Sequence, residues 1–149
     1  MKNLMYFKSF SVRESVDEDS EEYDDIKWAL IDFIDQGFDL RIKKYDDPEE
    51  IQEMTIAMFK NVDMQLPVVN MIRGSFNAGS FKIDRTNVEG RNREWIESLE
   101  PACLRILDQM EYDHGSFEIS QIKAGLMDPN PISRKISVNI HIHMMKDPE

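Results

Sequence analysis

The run "NIHIHMM" places His141 and His143 two residues apart in an alternating stretch. On a β-strand both rings then project to one side. Such a pair can hold a zinc or iron ion if a neighbouring strand supplies a third ligand. Glu118 could serve if its strand pairs with theirs, and His114 is the other histidine in the chain. The plainer reading puts both rings on the wet face of a terminal or edge strand, beside Lys135 and Asn139. The expectation is therefore no bound metal and no cofactor, with His141 and His143 as the residues a metal would use.

Other chemistry is sparser. Asp84 and Glu118 could sit near Lys82 or Lys123, as carboxylates and lysines do in metal-dependent nucleases, but no nuclease spacing is present. "RGSFNAGSFK" has two glycines but lacks the lysine-hydroxyl ending and following helix of a phosphate loop. Cys103 shares a helical apolar face with Ile106 and Leu107, which reads as a structural thiol. No catalytic residues are assigned, and the chain is expected not to be an enzyme.

The elements that would position these residues follow from periodicity. Ile26, Leu30, Phe33 and Ile34 recur at helical spacing up to Gly37, with Ser20 as a natural cap. "FDLRIKKY" alternates as a half-buried strand. Ile51, Met54, Met58, Phe59 and Val62 fit a helical face, although Thr55 and Ile56 would also suit a strand. Two short strands, 68–73 and 80–84, flank a turn at Asn77, Ala78 and Gly79. Trp95, Ile96, Leu99, Cys103, Ile106, Leu107 and Met110 form a second long helical pattern near 92–110. Pro101 interrupts it, which predicts a short turn over 92–97 and a main helix capped by Ser98. Phe117 and Ile119 begin another strand. Ile136, Val138, Ile140, Ile142 and Met144 line one face of the last.

The halves "IKWALIDFIDQGFDLRI" and "LEPACLRILDQMEYDHGSFEISQI" share an order of helix, turn and alternating strand, each with an Asp-Gln pair near the helix end. This is either a duplicated α-β-β unit or two ordinary units with one grammar. The fold class expected is α+β, an antiparallel sheet of about four to five strands with two to three helices on one face. Residues 1–20 read as an N-terminal leader and acidic linker, and 21–149 as one domain.

Net charge is −11, so a phosphate backbone would be repelled and no nucleic-acid partner is expected. No apolar run approaches a membrane span, and no membrane partner is expected. One cysteine allows no intrachain disulfide. Of ten methionines, Met54, Met58, Met71, Met110 and Met144 are expected on core faces, where they fill gaps. Charge is also uneven. Residues 1–13 carry Lys2, Lys8 and Arg13 and no acid. The acids then begin at Glu14, and Asp17, Glu18, Asp19, Glu21, Glu22, Asp24 and Asp25 follow. Such a block is a solvated linker feeding a helix or an acidic face for a partner.

The opening "MKNLMYFKSFSVRE" can be read as an amphipathic docking peptide, with Phe7 and Phe10 on one stripe, or as an arm covering the domain's own core. It resembles the capsid-targeting leader of internal head proteins of T-even-type tailed phages. Those leaders begin Met-Lys, carry two aromatics three residues apart, and end in a glutamate after which the prohead protease cuts. The matching residues are Met1, Lys2, Phe7, Phe10 and Glu14. Two extra residues precede the aromatic pair here, and Val12 stands where leucine or isoleucine is usual. The resemblance implies docking by Phe7 and Phe10, processing at Glu14, and a protein made in the host cytoplasm and carried into the virion head. The body of the chain resembles no family.

The function expected is a small, acidic, non-enzymatic phage protein with a protein partner: capsid or scaffold for a packaged protein, or a host protein for an acidic inhibitor of a basic surface. A metal-dependent enzyme is the remaining alternative.

Overall fold

The computed structural model describes residues 13–15, 20–46, 52–63, 70–84, 91–123 and 135–147. Their elements are, in order, β1 (Arg13–Ser15), α1 (Glu21–Ala29), α2 (Ile31–Asp35), β2 (Asp39–Asp46) and β3 (Gln52–Asp63), then β4 (Asn70–Asn77), β5 (Ser80–Ile83), α3 (Arg91–Gln109), β6 (His114–Lys123) and β7 (Lys135–Lys146). The strands form one antiparallel sheet in the order β1-β2-β3-β7-β6-β4-β5. The α+β class and the antiparallel sheet are as expected. Among the described residues the sheet has seven strands rather than four or five.

One missing strand was hidden in an apparent helix. Met54 and Met58 are four apart, which satisfies both a helical and a strand period. In β3 they alternate with Ile56, and all three are buried while Thr55 and Ala57 lie half-exposed. Thr55 and Ile56 are β-branched and suit a pleated surface. The other addition is β1, whose three residues pair with Tyr45, Lys44 and Lys43 of β2. Arg13–Ser15, read as leader, thus lie at the edge of the sheet.

The helices have clear local causes. Ser20 Oγ accepts the Tyr23 amide at 3.1 Å, and Glu21, Glu22 and Asp24 in the first turn complement the helix dipole. The expected single helix breaks at Leu30 into α1 and α2. At the far end the Phe38 amide donates to the Phe33 carbonyl and Gly37 to Ile34, with Gly37 at φ 95°. This is the Schellman arrangement, which needs a left-handed residue after the helix. α3 ends the same way, with Tyr112 donating to Leu107, Glu111 to Asp108, and Glu111 at φ 59°.

No break occurs at Ser98. α3 runs continuously through Pro101. Proline removes the amide that would bond the Glu97 carbonyl. Pro101 and Glu97 both lie on the exposed side, so water can satisfy that carbonyl.

The order α-β-β recurs, as α1/α2-β2-β3 and α3-β6-β7, and the units meet along β3 and β7. The Asp-Gln pairs are not equivalent, however. Asp35–Gln36 sit immediately before the left-handed residue, and Asp108–Gln109 one position earlier.

A single core joins the helices to one face of the sheet. Ile26, Leu30 and Phe33, Leu99 and Ile106 of α3, and Ile56, Ile140 and Ile142 of the sheet belong to this one buried cluster. Phe38 links the layers, edge-on to Phe33 at 5.7 Å and to Trp95 at 6.2 Å. Toward β5 the core is aromatic. Phe81 stacks on Phe117 at 4.8 Å, and the Phe117 ring lies over Gly74 of β4. A Cβ at Gly74 would collide with that ring and with the Lys82 carbonyl. Gly74→Ala should therefore destabilise the fold by about 2 kcal/mol, lowering the thermal midpoint by roughly 4–8 °C in calorimetry. An unchanged midpoint would mean the ring can move aside freely.

Candidate functional site

Pairing fixes what the other, open face of the sheet displays. Residues opposite one another in antiparallel strands share a face. One row across the sheet is Arg41, Ala57, His141, Glu118 and Arg73. The row beside it is Lys43, Thr55, His143, Ser116, Ser75 and Lys82. The two histidines therefore lie side by side on the open face, with Glu118 directly across from His141. Asp84, Glu118, Arg73, Ser116 and both histidines line an open hollow of about 280 Å³.

The sequence-predicted cluster is thus assembled, but His143 and Glu118 are engaged elsewhere. His143 Nε2 lies 3.0 Å from Glu53 Oε2 on β3. Arg73 Nε lies 3.3 Å from Glu118 Oε2. The remaining histidine, His114, meets Asp147 at 2.9 Å. Among the described residues no three histidine, cysteine, aspartate or glutamate side chains are grouped as a metal would need. The hollow is a set of cross-strand polar pairs, each of which steadies the sheet modestly.

Cys103 is fully buried on α3, and burial pushes its thiol well above the ordinary range. A thiol held neutral in the core is a poor nucleophile. Native protein should react with a disulfide reagent only slowly, with full reaction in denaturant. Rapid native labelling would show an opening that the packing does not provide.

The acidic residues take a different position. Glu21, Asp24 and Asp25 lie toward solvent on α1, and Asp32 and Asp35 on α2. Glu22 turns inward to Lys44 of β2 at 3.1 Å and holds α1 to the sheet. Within this stripe stands Trp28, 67% exposed. Successive helical residues turn by about 100°, which sets Trp28 of α1 opposite the buried Ile26 and on the side of Glu21, Asp24 and Asp25. The sequence reading noted the acids and missed the tryptophan. The signal was available, because Trp28 falls off the apolar stripe that Ile26, Leu30 and Phe33 define.

Phe7, Phe10, Asp17, Glu18 and Asp19 lie outside the described residues. Glu14 lies within β1, its backbone opposite Lys44. No described helix is long and apolar enough to cross a membrane. Compared with protein-family models, curated proteins and solved structures, the chain matches none.

Proposed function

We propose that this is a non-enzymatic docking protein that seats the acidic face of α1 and α2 on a basic surface of another protein. The observation that carries the reading is Trp28, exposed on α1 on the side of Glu21, Asp24 and Asp25, with Asp32 and Asp35 exposed on the α2 that follows. Leaving a tryptophan in water forgoes about 2–3 kcal/mol of burial that a core position would recover. Tryptophan is also among the residues that most often dominate binding energy, inside a rim that excludes water. A carboxylate rim adds long-range steering toward a cationic partner. The partner class this favours is a host protein whose basic surface ordinarily meets nucleic acid.

Host lysate passed over the immobilised protein at low salt should yield such a partner. Trp28→Ala and the pair Asp24→Lys/Asp25→Lys should each weaken its capture about tenfold or more, with the melting temperature nearly unchanged. Duplex DNA and added salt should release it. Capture by wild type and variants alike, or none at low salt, would remove the proposal.

The leader residues favour a second role, carriage in a phage head. Cutting after Glu14 would divide β1, a three-residue edge strand that few hydrogen bonds hold. Mass spectrometry of purified virions should find the chain beginning at Ser15, and virions without it would exclude packaging. If Phe7→Ala/Phe10→Ala leaves the domain folded but unpackaged, the leader acts as an address; if the domain unfolds, it acts as a lid.

A further inference from the structure

The two helix ends of the recurring α-β-β order are built alike and finished differently. Each left-handed residue, Gly37 and Glu111, is followed by an aromatic whose amide returns to a helix carbonyl: Phe38 to Phe33, and Tyr112 to Leu107. Each facing strand closes its buried row with a methionine and sets a lysine two residues later, on the same side of the sheet. These are Met58 and Lys60 on β3, and Met144 and Lys146 on β7. At the first end Lys60 completes the structure. Its Nζ donates to the Gln36 carbonyl and lies 5.9 Å from the centre of the Phe38 ring. Lysine is well suited there, because the last carbonyls of a helix lack partners within it.

At the second end no such contact is made. The last turn of α3 carries no base, and Lys146 Nζ makes no hydrogen bond or ion pair with a described residue. An open groove of about 610 Å³ lies there instead, a volume usual for a small-molecule site. Leu104, Leu107 and Tyr112 give it apolar walls, and Asp108, Glu111 and Asp113 give it carboxylates. Lys146 is the one cation in its lining. Asp113 Oδ2 accepts the Asp147 amide at 2.6 Å, whereas Asp108 and Glu111 have no ion pair among the described residues. Glu111 stands in the place of Gly37. A Cβ built on Gly37 would lie 3.8 Å from Lys60 Nζ. An ammonium seated at the second end as Lys60 is at the first would therefore meet a carboxylate side chain, and the negative pole of the long helix α3 favours it further.

We propose that this groove binds an aliphatic diamine. The first end shows the cation that such a turn accepts, an ammonium on a methylene stem beside an aromatic ring. Asp108 and Glu111 call for two positive charges, and the leucine and tyrosine walls take the methylenes that join them. An anion would meet three carboxylates, and a bare ammonium or metal ion would leave the apolar walls in water. Trp28 does not line the groove, so binding here stands whether or not the acidic face of α1 docks a partner.

Calorimetric titration of the full chain with 1,5-diaminopentane tests this, with circular dichroism of each variant as the control for folding. The wild type should take up one equivalent saturably, and 1,5-pentanediol, equally long but uncharged, should not bind. Asp108→Asn and Glu111→Gly should each weaken uptake about fivefold or more. Glycine suits the left-handed φ of 59° at Glu111, so that variant should keep or raise the melting temperature. Asp32→Asn/Asp35→Asn removes more charge, from α2, and should leave uptake within about twofold of the wild type. No uptake by the wild type, undiminished uptake by the Asp108 and Glu111 variants, or an equal loss with the α2 pair would each overturn the site. Uptake by Lys146→Met alone would also overturn it, because Lys146 would then close the groove as Lys60 closes the first end.

Discussion

The pairing of β3 with β7 is the constraint on which the molecule depends. Twelve residues of each strand pair, from Gln52 opposite Lys146 to Asp63 opposite Lys135. Within that register Met54 meets Met144, Ile56 meets Ile142 and Met58 meets Ile140, all buried. A slip of β7 by one residue would turn Ile140, Ile142 and Met144 to water and bring His141 and His143 into the core, and a slip of β3 would do the same with Glu53 and Thr55. Burying such polar groups makes either alternative costly, so the register is strongly specified. Each neighbour extends the same parity. β2 buries Ile42 against Ile56, and β6 buries Phe117 and Ile119 against Ile142 and Ile140.

Once that parity is set, the two faces of the protein separate by composition. The helices bring their apolar stripes to one side of the sheet and carry many of the described carboxylates away from it. The open side keeps small, polar and oppositely charged residues in rows. The net charge of −11 is thus a poor description of either surface. The distribution differs between the two: exposed carboxylates beside Trp28 on the helical side, and cations and carboxylates mixed in rows on the sheet side. Trp28 and the His141 row are products of one choice of register and helix phase, although they lie on opposite sides of the sheet.

The last strand could be read from sequence because Ile136 to Met144 alternate without exception, and an alternating run has few other uses. The Gly37 stop was equally legible, since glycine enters the left-handed conformation without steric cost. Its twin at Glu111 was not, because no residue type announces a left-handed glutamate; the cap is imposed by the hydrogen bonds of Leu107 and Tyr112. β3 was misread because two methionines four apart carry no information about period, and Ile56 between them was the residue that decided. The helix through Pro101 was misread because the hydrogen bond that proline removes costs little where water reaches the freed carbonyl, as at the exposed Glu97.

The candidate sites show the same division between what is local and what is not. That His141 and His143 share a side follows from the strand alone, and the placement of Glu118 opposite His141 required only that two strands pair. Their engagement could not be read, because Glu53 lies 90 residues from His143 and reaches it through β3, the element that sequence mistook for a helix. With β3 taken as a helix, the sequence set no carboxylate on that flank of His143, and both rings were expected on a wet face. With β3 a strand, a carboxylate is delivered to His143 as Arg73 is delivered to Glu118, and the polar side chains satisfy one another across strands. The chemistry assigned to the histidines therefore turns on the secondary structure of residues 52–63, which contribute no histidine.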